Sequence, residues 1–189
     1  MKICFTGHRP KELCGYNQYN YMTFVKQLQN IIETQIENGC DTFITGGAQG
    51  FDQLAFWAVN NAKKKYNHIK NIVYLPFPNY GERWKKTGLF SQHDLDLVKK
   101  YADEIQYVVN QQTTSVGKSI LALMQRNDQM IKNADLVIAL TNFDYKDESQ
   151  AGGTLAAIRE AKRIGKPVLQ LKYSKYHNEL KITEKIELL

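Results

Sequence analysis

The sequence predicts an α/β fold: one domain with a mostly parallel sheet and helices on both of its faces. Three observations lead there. Short β-like runs alternate with longer helical ones from Lys2 to Leu171, an order that produces parallel strands joined by crossover helices. The chain has 189 residues, enough for one well-buried domain and short for two. Glycine-rich and polar turns follow the first, second and fifth β-like runs, on the edge where such sheets bind ligands.

The elements follow in order. Lys2-Ile3-Cys4-Phe5 is the first strand, broken by Thr6-Gly7. A helix is expected from about Tyr19 to Asn38, with Phe24, Leu28, Ile31, Ile32 and Ile36 near helical spacing and Gly39 as its stop. The second strand runs from about Asp41 to Thr45, and a helix to about Lys65 follows the glycine turn. Ile72-Val73-Tyr74-Leu75 is the third strand, ended by Pro76 and Pro78, which cannot donate to a ladder.

From Phe77 to Phe90 the pattern is irregular and long enough for a functional loop. A helical run over 94–100 leads to a fourth strand near Glu104 to Val109, and a helix is expected from about Lys118 to Lys132. Strand five, Asp135 to Leu140, is the clearest in the chain. The turn from Thr141 to Gly153 precedes a helix over about 154–164, and the sixth strand spans 166–171. The core is thus 1–171, and 172–189 is a basic, mixed tail without a clear pattern. The whole is a single Rossmann-like domain.

Composition narrows the class of protein. With 43% hydrophobic and 23% charged residues, the chain reads as globular rather than disordered. No apolar run approaches the roughly 20 residues of a membrane span, and the N-terminus lacks the order of a signal peptide. The cytoplasm is the expected location. The cysteines, Cys4, Cys14 and Cys40, show no zinc-site spacing, so no metal is expected. The net charge of +6 comes from scattered lysines, with Lys63-Lys64-Lys65 the one tight run. That distribution suits a solvated surface rather than nucleic acid.

The stretch Thr45-Gly46-Gly47-Ala48-Gln49-Gly50-Phe51-Asp52 joins a strand to a helix. A helix beginning there aims unpaired N–H groups and its positive dipole end into the turn, which favours a phosphate. A tight turn with no ligand would use the same residues. Thr6-Gly7-His8-Arg9-Pro10 after strand one, and Thr141 with Ala151-Gly152-Gly153-Thr154 after strand five, fall on the same edge. Arg9 offers a planar charged fork for phosphate, and Thr154 offers a hydroxyl at a helix start. Asp52 is expected to accept from ribose hydroxyls, although an acid in a first helical turn is favourable without any ligand. A bulky residue at Gly47 is expected to block the ligand and spare the fold.

Two tempting motifs fail. Gln112 to Ser119 ends like a Walker A loop, but Gln112 stands where the leading glycine belongs. The glycine turn begins with Thr45 where the dinucleotide fingerprint needs glycine. An ordinary nicotinamide dehydrogenase is not expected.

Four motifs together resemble a known family. Thr6 to Pro10, Gly46 to Asp52 with Ala55, Arg126-Asn127 with Met130, and Gly152-Gly153-Thr154 occur in the order and spacing of YpsA-like proteins. These belong to the SLOG superfamily, with DprA and the LOG phosphoribohydrolases as relatives. The resemblance covers Lys2 to about Leu171. It implies a Rossmann-like cleft for a nucleotide or nucleotide-derived ligand of NAD or ADP-ribose type, in a sensor or regulatory protein. The ligand residues it implies are Thr6, Gly7, His8, Arg9, Gly46, Gly47, Ala48, Gly50, Asp52, Arg126, Asn127, Thr141, Gly152, Gly153 and Thr154.

The relatives also frame the question of catalysis. LOG proteins cleave a base from ribose phosphate with an arginine in an R-K-x-x-M helix and a glutamate in G-G-x-G-T-x-x-E. Arg126 and Met130 match the first motif, with Asn127 in place of lysine. Ala157 stands where the glutamate belongs, and alanine can neither activate water nor stabilise an oxocarbenium-like centre. Arg126 and Glu82 remain the candidate catalytic groups, with Asp52 a further possible substitute for the carboxylate; Glu82 lies in a loop whose Trp84 would stack on a base. The bland alternatives are a helix-surface arginine and a surface loop anchored by tryptophan. Ligand binding is therefore the primary expectation. A nucleotide N-glycosidase and a DprA-like single-stranded DNA binder are the rivals, and a homo-oligomer is left open.

Overall fold

The computed structural model describes residues 1–188. Among them, seven strands form one sheet: β1 (Lys2–Gly7), β2 (Thr42–Thr45), β3 (Lys70–Leu75), β4 (Glu104–Tyr107), β5 (Leu136–Leu140), β6 (Val168–Tyr176) and β7 (Glu179–Leu188). The helices are α1 (Met22–Glu37), α2 (Phe51–Ala62), α3 (Gln92–Tyr101), α4 (Val116–Asn133) and α5 (Gly153–Arg163). The sheet order is β4-β3-β2-β1-β5-β6-β7, parallel throughout except for the β6–β7 pair. This is the expected α/β, Rossmann-like architecture.

The period of two in the strands divides the core between the faces. Ile3, Phe5 and Phe43 join α1 and α2 on one face, whereas Cys4, Ile44 and Val137 join α4 and α5 on the other. On α1 the buried residues are Phe24, Leu28, Ile31, Ile32 and Ile36, the set that the sequence periodicity marks. Phe5 stacks on Phe43 at 6.0 Å and meets the edge of Phe51 at 6.1 Å, so the start of α2 is packed directly against the central strand.

Several boundaries differ from expectation for identifiable reasons. The first helix begins as a 3-10 turn, Gln18–Tyr21, because the buried Tyr21 hydroxyl donates to the Gly15 carbonyl and accepts from the Cys14 N–H. The second helix stops at Ala62, and the lysines beyond it reach neighbouring elements: Lys63 pairs with Asp103 and Lys65 with Glu33. At the end of β4, Val108 and Val109 still donate to Leu75 and Pro76, which explains their strand-like sequence. Residues beyond 171 extend β6 to Tyr176 and return as β7, with a register shift between Lys172 and Tyr173. Their contribution to the core is Tyr173, 7% exposed, and Leu180, fully buried.

Candidate functional site

The chain moves outward from β1 to β4 on one side and from β5 to β7 on the other. The order therefore reverses between β1 and β5, and the crevice outside their carboxyl ends is where doubly wound sheets bind ligands. A cleft of about 450 Å³ opens there. Its lining joins three turns: Thr6, Gly7, His8 and Arg9 after β1, Ala48 and Asp52 after β2, and Gln150 to Leu155 after β5. Arg126 and Asn127 of α4 close the floor, and Phe143 stands at the wall.

Arg126 is not a helix-surface cation. It is 4% exposed and is held from three sides. Its Nε donates to Asn127 Oδ1 at 3.1 Å, its Nη1 donates to the Gly46 carbonyl, and the same nitrogen lies 3.7 Å from Asp52 Oδ2. Its Nη2 has no hydrogen-bond partner among the described residues, leaving a charged donor edge on a residue that lines the cleft. Asp52 is equally buried, and Ala48 N–H donates to its Oδ2 at 3.3 Å. Burial pushes this carboxyl above the usual carboxylate range, while the Arg126 and Arg9 charges pull it back. Asp52 thus ties the glycine turn to α4, a use that competes with accepting from a ribose.

The glycines divide into two kinds of work. Gly50 has φ +91°, and a Cβ there would lie 2.6 Å from the His8 carbonyl oxygen. Only glycine permits that approach of the β2 turn to the β1 turn, where Phe51 N–H donates to the same His8 oxygen at 3.2 Å. Gly47 faces the other way. With φ +63°, its Cβ would meet Leu75 at 3.0 Å and Leu95 and Val73 at 3.3 Å. A bulky residue there would strike the core, which overturns the expectation that such a change spares the fold. Gly46, Gly47, Gly50 and Thr141 shape the turns without lining the cleft; Thr141 is fully buried and its Oγ1 accepts from Phe143 N–H.

Glu82 is not brought to the cleft. It lines a separate small cavity with Arg83, Trp84 and Thr113, and Trp84 packs edge-on against Tyr80 at 5.1 Å. The loop instead reaches the site through Tyr80. Partial desolvation of the Arg9 guanidinium is outweighed by Tyr80 and by the Asp52 charge, which hold its ionisation above the ordinary value. Ala157 sits 3% exposed in an apolar cluster with Leu155, Ile158 and Val137 and does not line the cleft.

Several lining residues carry no signal in the sequence: Phe5, Glu12, Phe143, Gln150 and Leu155. Glu12 arrives because the chain turns tightly after Arg9, whose carbonyl accepts from Glu12 and Leu13 N–H groups. Gln150 and its neighbours are set by Arg159 on α5, which donates to the carbonyls of Tyr145, Asp147 and Gln150. That arginine pins a loop that would otherwise lack any ladder. The α5 N-terminus, capped by Gly152 without a side-chain bond, leaves its first N–H groups directed at the cleft.

A family model for YpsA, described as the YspA SLOG family, matches residues 3–175. The chain belongs to the YpsA family of SLOG proteins. Among curated relatives of this YpsA-family chain, an uncharacterized SPbeta prophage-derived protein of Bacillus subtilis is 37% identical, over 52% of this chain and 59% of its own length. A UPF0398 protein of Leuconostoc citreum is 24% identical over 86% of this chain and 82% of its own. Another, from Oenococcus oeni, is 24% identical over 98% and 95% respectively. The family match ends at residue 175, within β6 and short of β7. Among the described residues, no helix is long and apolar enough to cross a membrane.

Proposed function

We propose that this YpsA-family protein is a cytoplasmic binder of a nucleotide or nucleotide-derived ligand of ADP-ribose type. The observation that carries the reading is the meeting, in the lining of one cleft at the reversal of strand order, of the α5 N-terminus and Arg126, whose Nη2 has no hydrogen-bond partner among the described residues. N–H groups and a buried guanidinium together favour a phosphate more than either alone. Arg9 adds a second charged fork at the rim, and Phe143, 39% exposed, offers a ring face for a base. Binding is preferred to cleavage because Ala157 supplies no carboxylate, Glu82 stands elsewhere, and Asp52 is engaged by Arg126 and Ala48.

The test is calorimetric titration with AMP, ADP-ribose and NAD, alongside chromatography for released base. The expected result is saturable binding of at least one compound, weakened about tenfold by Arg9→Ala, with no base released. Sustained release of base that depends on Arg126 would replace the reading with an N-glycosidase. No binding by any of the three, with a salt-sensitive shift of single-stranded DNA, would replace it with a nucleic-acid reading.

A further inference from the structure

The cleft wall holds one ring whose protonation pattern follows from its neighbours. His8 Nδ1 lies 2.8 Å from the Tyr173 hydroxyl, and that hydroxyl lies 3.2 Å from the Glu12 carbonyl oxygen. A carbonyl only accepts, and a phenol has a single proton to give. The Tyr173 proton therefore goes to Glu12, and the Tyr173 oxygen accepts from His8. This requires the Nδ1–H tautomer, so the lone pair of the neutral ring resides on Nε2.

The arrangement is built rather than incidental. His8 is packed 5.8 Å from Tyr173 at a perpendicular angle and 5.5 Å from Phe143. Tyr173 is itself clamped, since its N–H donates to Asn142 Oδ1 and its carbonyl accepts from Asn142 Nδ2, both at 2.8 Å. Among the described residues nothing bonds to Nε2, although His8 lines the cleft. Burial holds the ring below the usual histidine range; of the charges that face it, Glu12 acts against this and Lys175 with it. At neutral pH the cleft thus combines cationic donors for an anion with an uncharged ring acceptor beside them.

We propose that His8 Nε2 accepts a hydrogen bond from an O–H or N–H group of the ligand, fixed in that role by the Tyr173 hydroxyl. The inference rests on the nucleotide reading and sharpens it, because a nucleotide places ribose hydroxyls and base amines near its phosphate. With the Asp52 carboxylate taken up by Arg126 and Ala48, His8 Nε2 stands with the Glu12 side chain in the lining as an acceptor for that second group, and the Tyr173 bond fixes its orientation. A ligand that was all phosphate would gain nothing from it.

Two measurements on the full-length protein test this. In the ligand-free ¹⁵N-labelled chain, long-range proton–nitrogen correlations, assigned with His8→Phe, should show His8 as the Nδ1–H tautomer, and Tyr173→Phe should shift it toward Nε2–H. An Nε2–H tautomer in the unaltered chain overturns the proposal. In titrations, His8→Phe should weaken AMP about tenfold and leave inorganic phosphate unchanged, with far-ultraviolet circular dichroism confirming the fold. Equal loss for both probes, or for neither, overturns it.

Among the analogues, 2′-deoxy, 3′-deoxy and inosine monophosphates identify the donor, since the right deletion makes His8→Phe silent. If all three analogues remain sensitive to His8→Phe, Nε2 serves no single ligand donor and the proposal fails. If the unaltered chain binds neither AMP nor ADP-ribose, the nucleotide reading fails separately. The tautomer then decides whether Nε2 is an open acceptor.

Discussion

Arg126 and Asp52 form an ion pair at 3.7 Å whose side chains are only 5% and 8% exposed, and the arginine also holds the Gly46 carbonyl. The pair joins α4 to the β2 turn beneath the cleft. Its removal in halves is expected to be asymmetric, because an unpaired buried charge costs more than the pair contributes. Arg126→Met should destabilise the protein by about 3 kcal/mol. Adding Asp52→Asn should recover part of that loss rather than add to it. Urea unfolding of the single and double variants checks this, and strictly additive losses would show that the two side chains act independently.

The half-buried His8 and the buried Asp52 predict opposite pH slopes. Burial lowers His8 in the folded state, so the unfolded chain takes up its proton first. Its contribution to stability is present above the unfolded value near 6.5 and is lost as pH falls through the folded value. Burial raises Asp52, so its contribution is present below the ordinary 3.8 and is lost as pH rises through the folded value. Relative to the unaltered chain, His8→Phe should gain stability as pH falls below 6.5. Asp52→Asn should gain as pH rises from 3.8. Unfolding midpoints from pH 3.5 to 7.5 read both, and a flat difference for either variant contradicts its assignment.

The strands, the helices and the position of the ligand edge were legible in the sequence because they depend on local pattern: apolar period, glycine stops, prolines after β3. The TGHRP turn and the Gly152-Gly153-Thr154 helix start were legible for the same reason. What was not legible depends on partners distant in the chain. Arg126 looks like any helix cation until Gly46 and Asp52 are placed beside it. Gly47 and Gly50 look equivalent, yet one backs onto Leu75 and the other onto His8. Phe143 and Glu12 reach the cleft only through loop geometry, and the alternation over 172–188 is hard to read because a register shift between Lys172 and Tyr173 interrupts it.

The difference between the two glycines is itself testable. Gly50→Ala adds a Cβ 2.6 Å from a backbone oxygen that cannot move aside, at a φ that alanine disfavours. It should cost at least about 2 kcal/mol. It should also separate the β1 and β2 turns, so phosphate binding falls with stability. Gly47→Ala meets side-chain methyls of Leu75 and Leu95 instead, and should lower stability with less effect on the cleft. Gly117→Ala, in helix α4 with nothing within 4 Å, serves as a control and should raise stability by about 0.5 kcal/mol. Thermal unfolding together with phosphate titration separates the three; equal effects of Gly47→Ala and Gly50→Ala on binding would refute the division.

The C-terminal hairpin is expected to act on the cleft as well as on stability. Leu180 is fully buried in the core shared with α1, and Gln27 of α1 bonds the backbone of Ile182 on β7 in both directions. These contacts hold the extended part of β6, and that part carries Tyr173 to His8. Leu180→Ala should cost about 2–4 kcal/mol, since it leaves a cavity in packed surroundings. A chain ending at Tyr176 should lose more, because it exposes the edge of β6 for pairing with other chains. In either variant that still folds at low temperature, loosening of Tyr173 should release the His8 tautomer before the α5 end of the cleft is disturbed. Histidine nitrogen shifts, compared with amide shifts of Gly153 and Thr154, check that order. Simultaneous loss of both signals would mean that the hairpin supports the fold without a specific hold on His8.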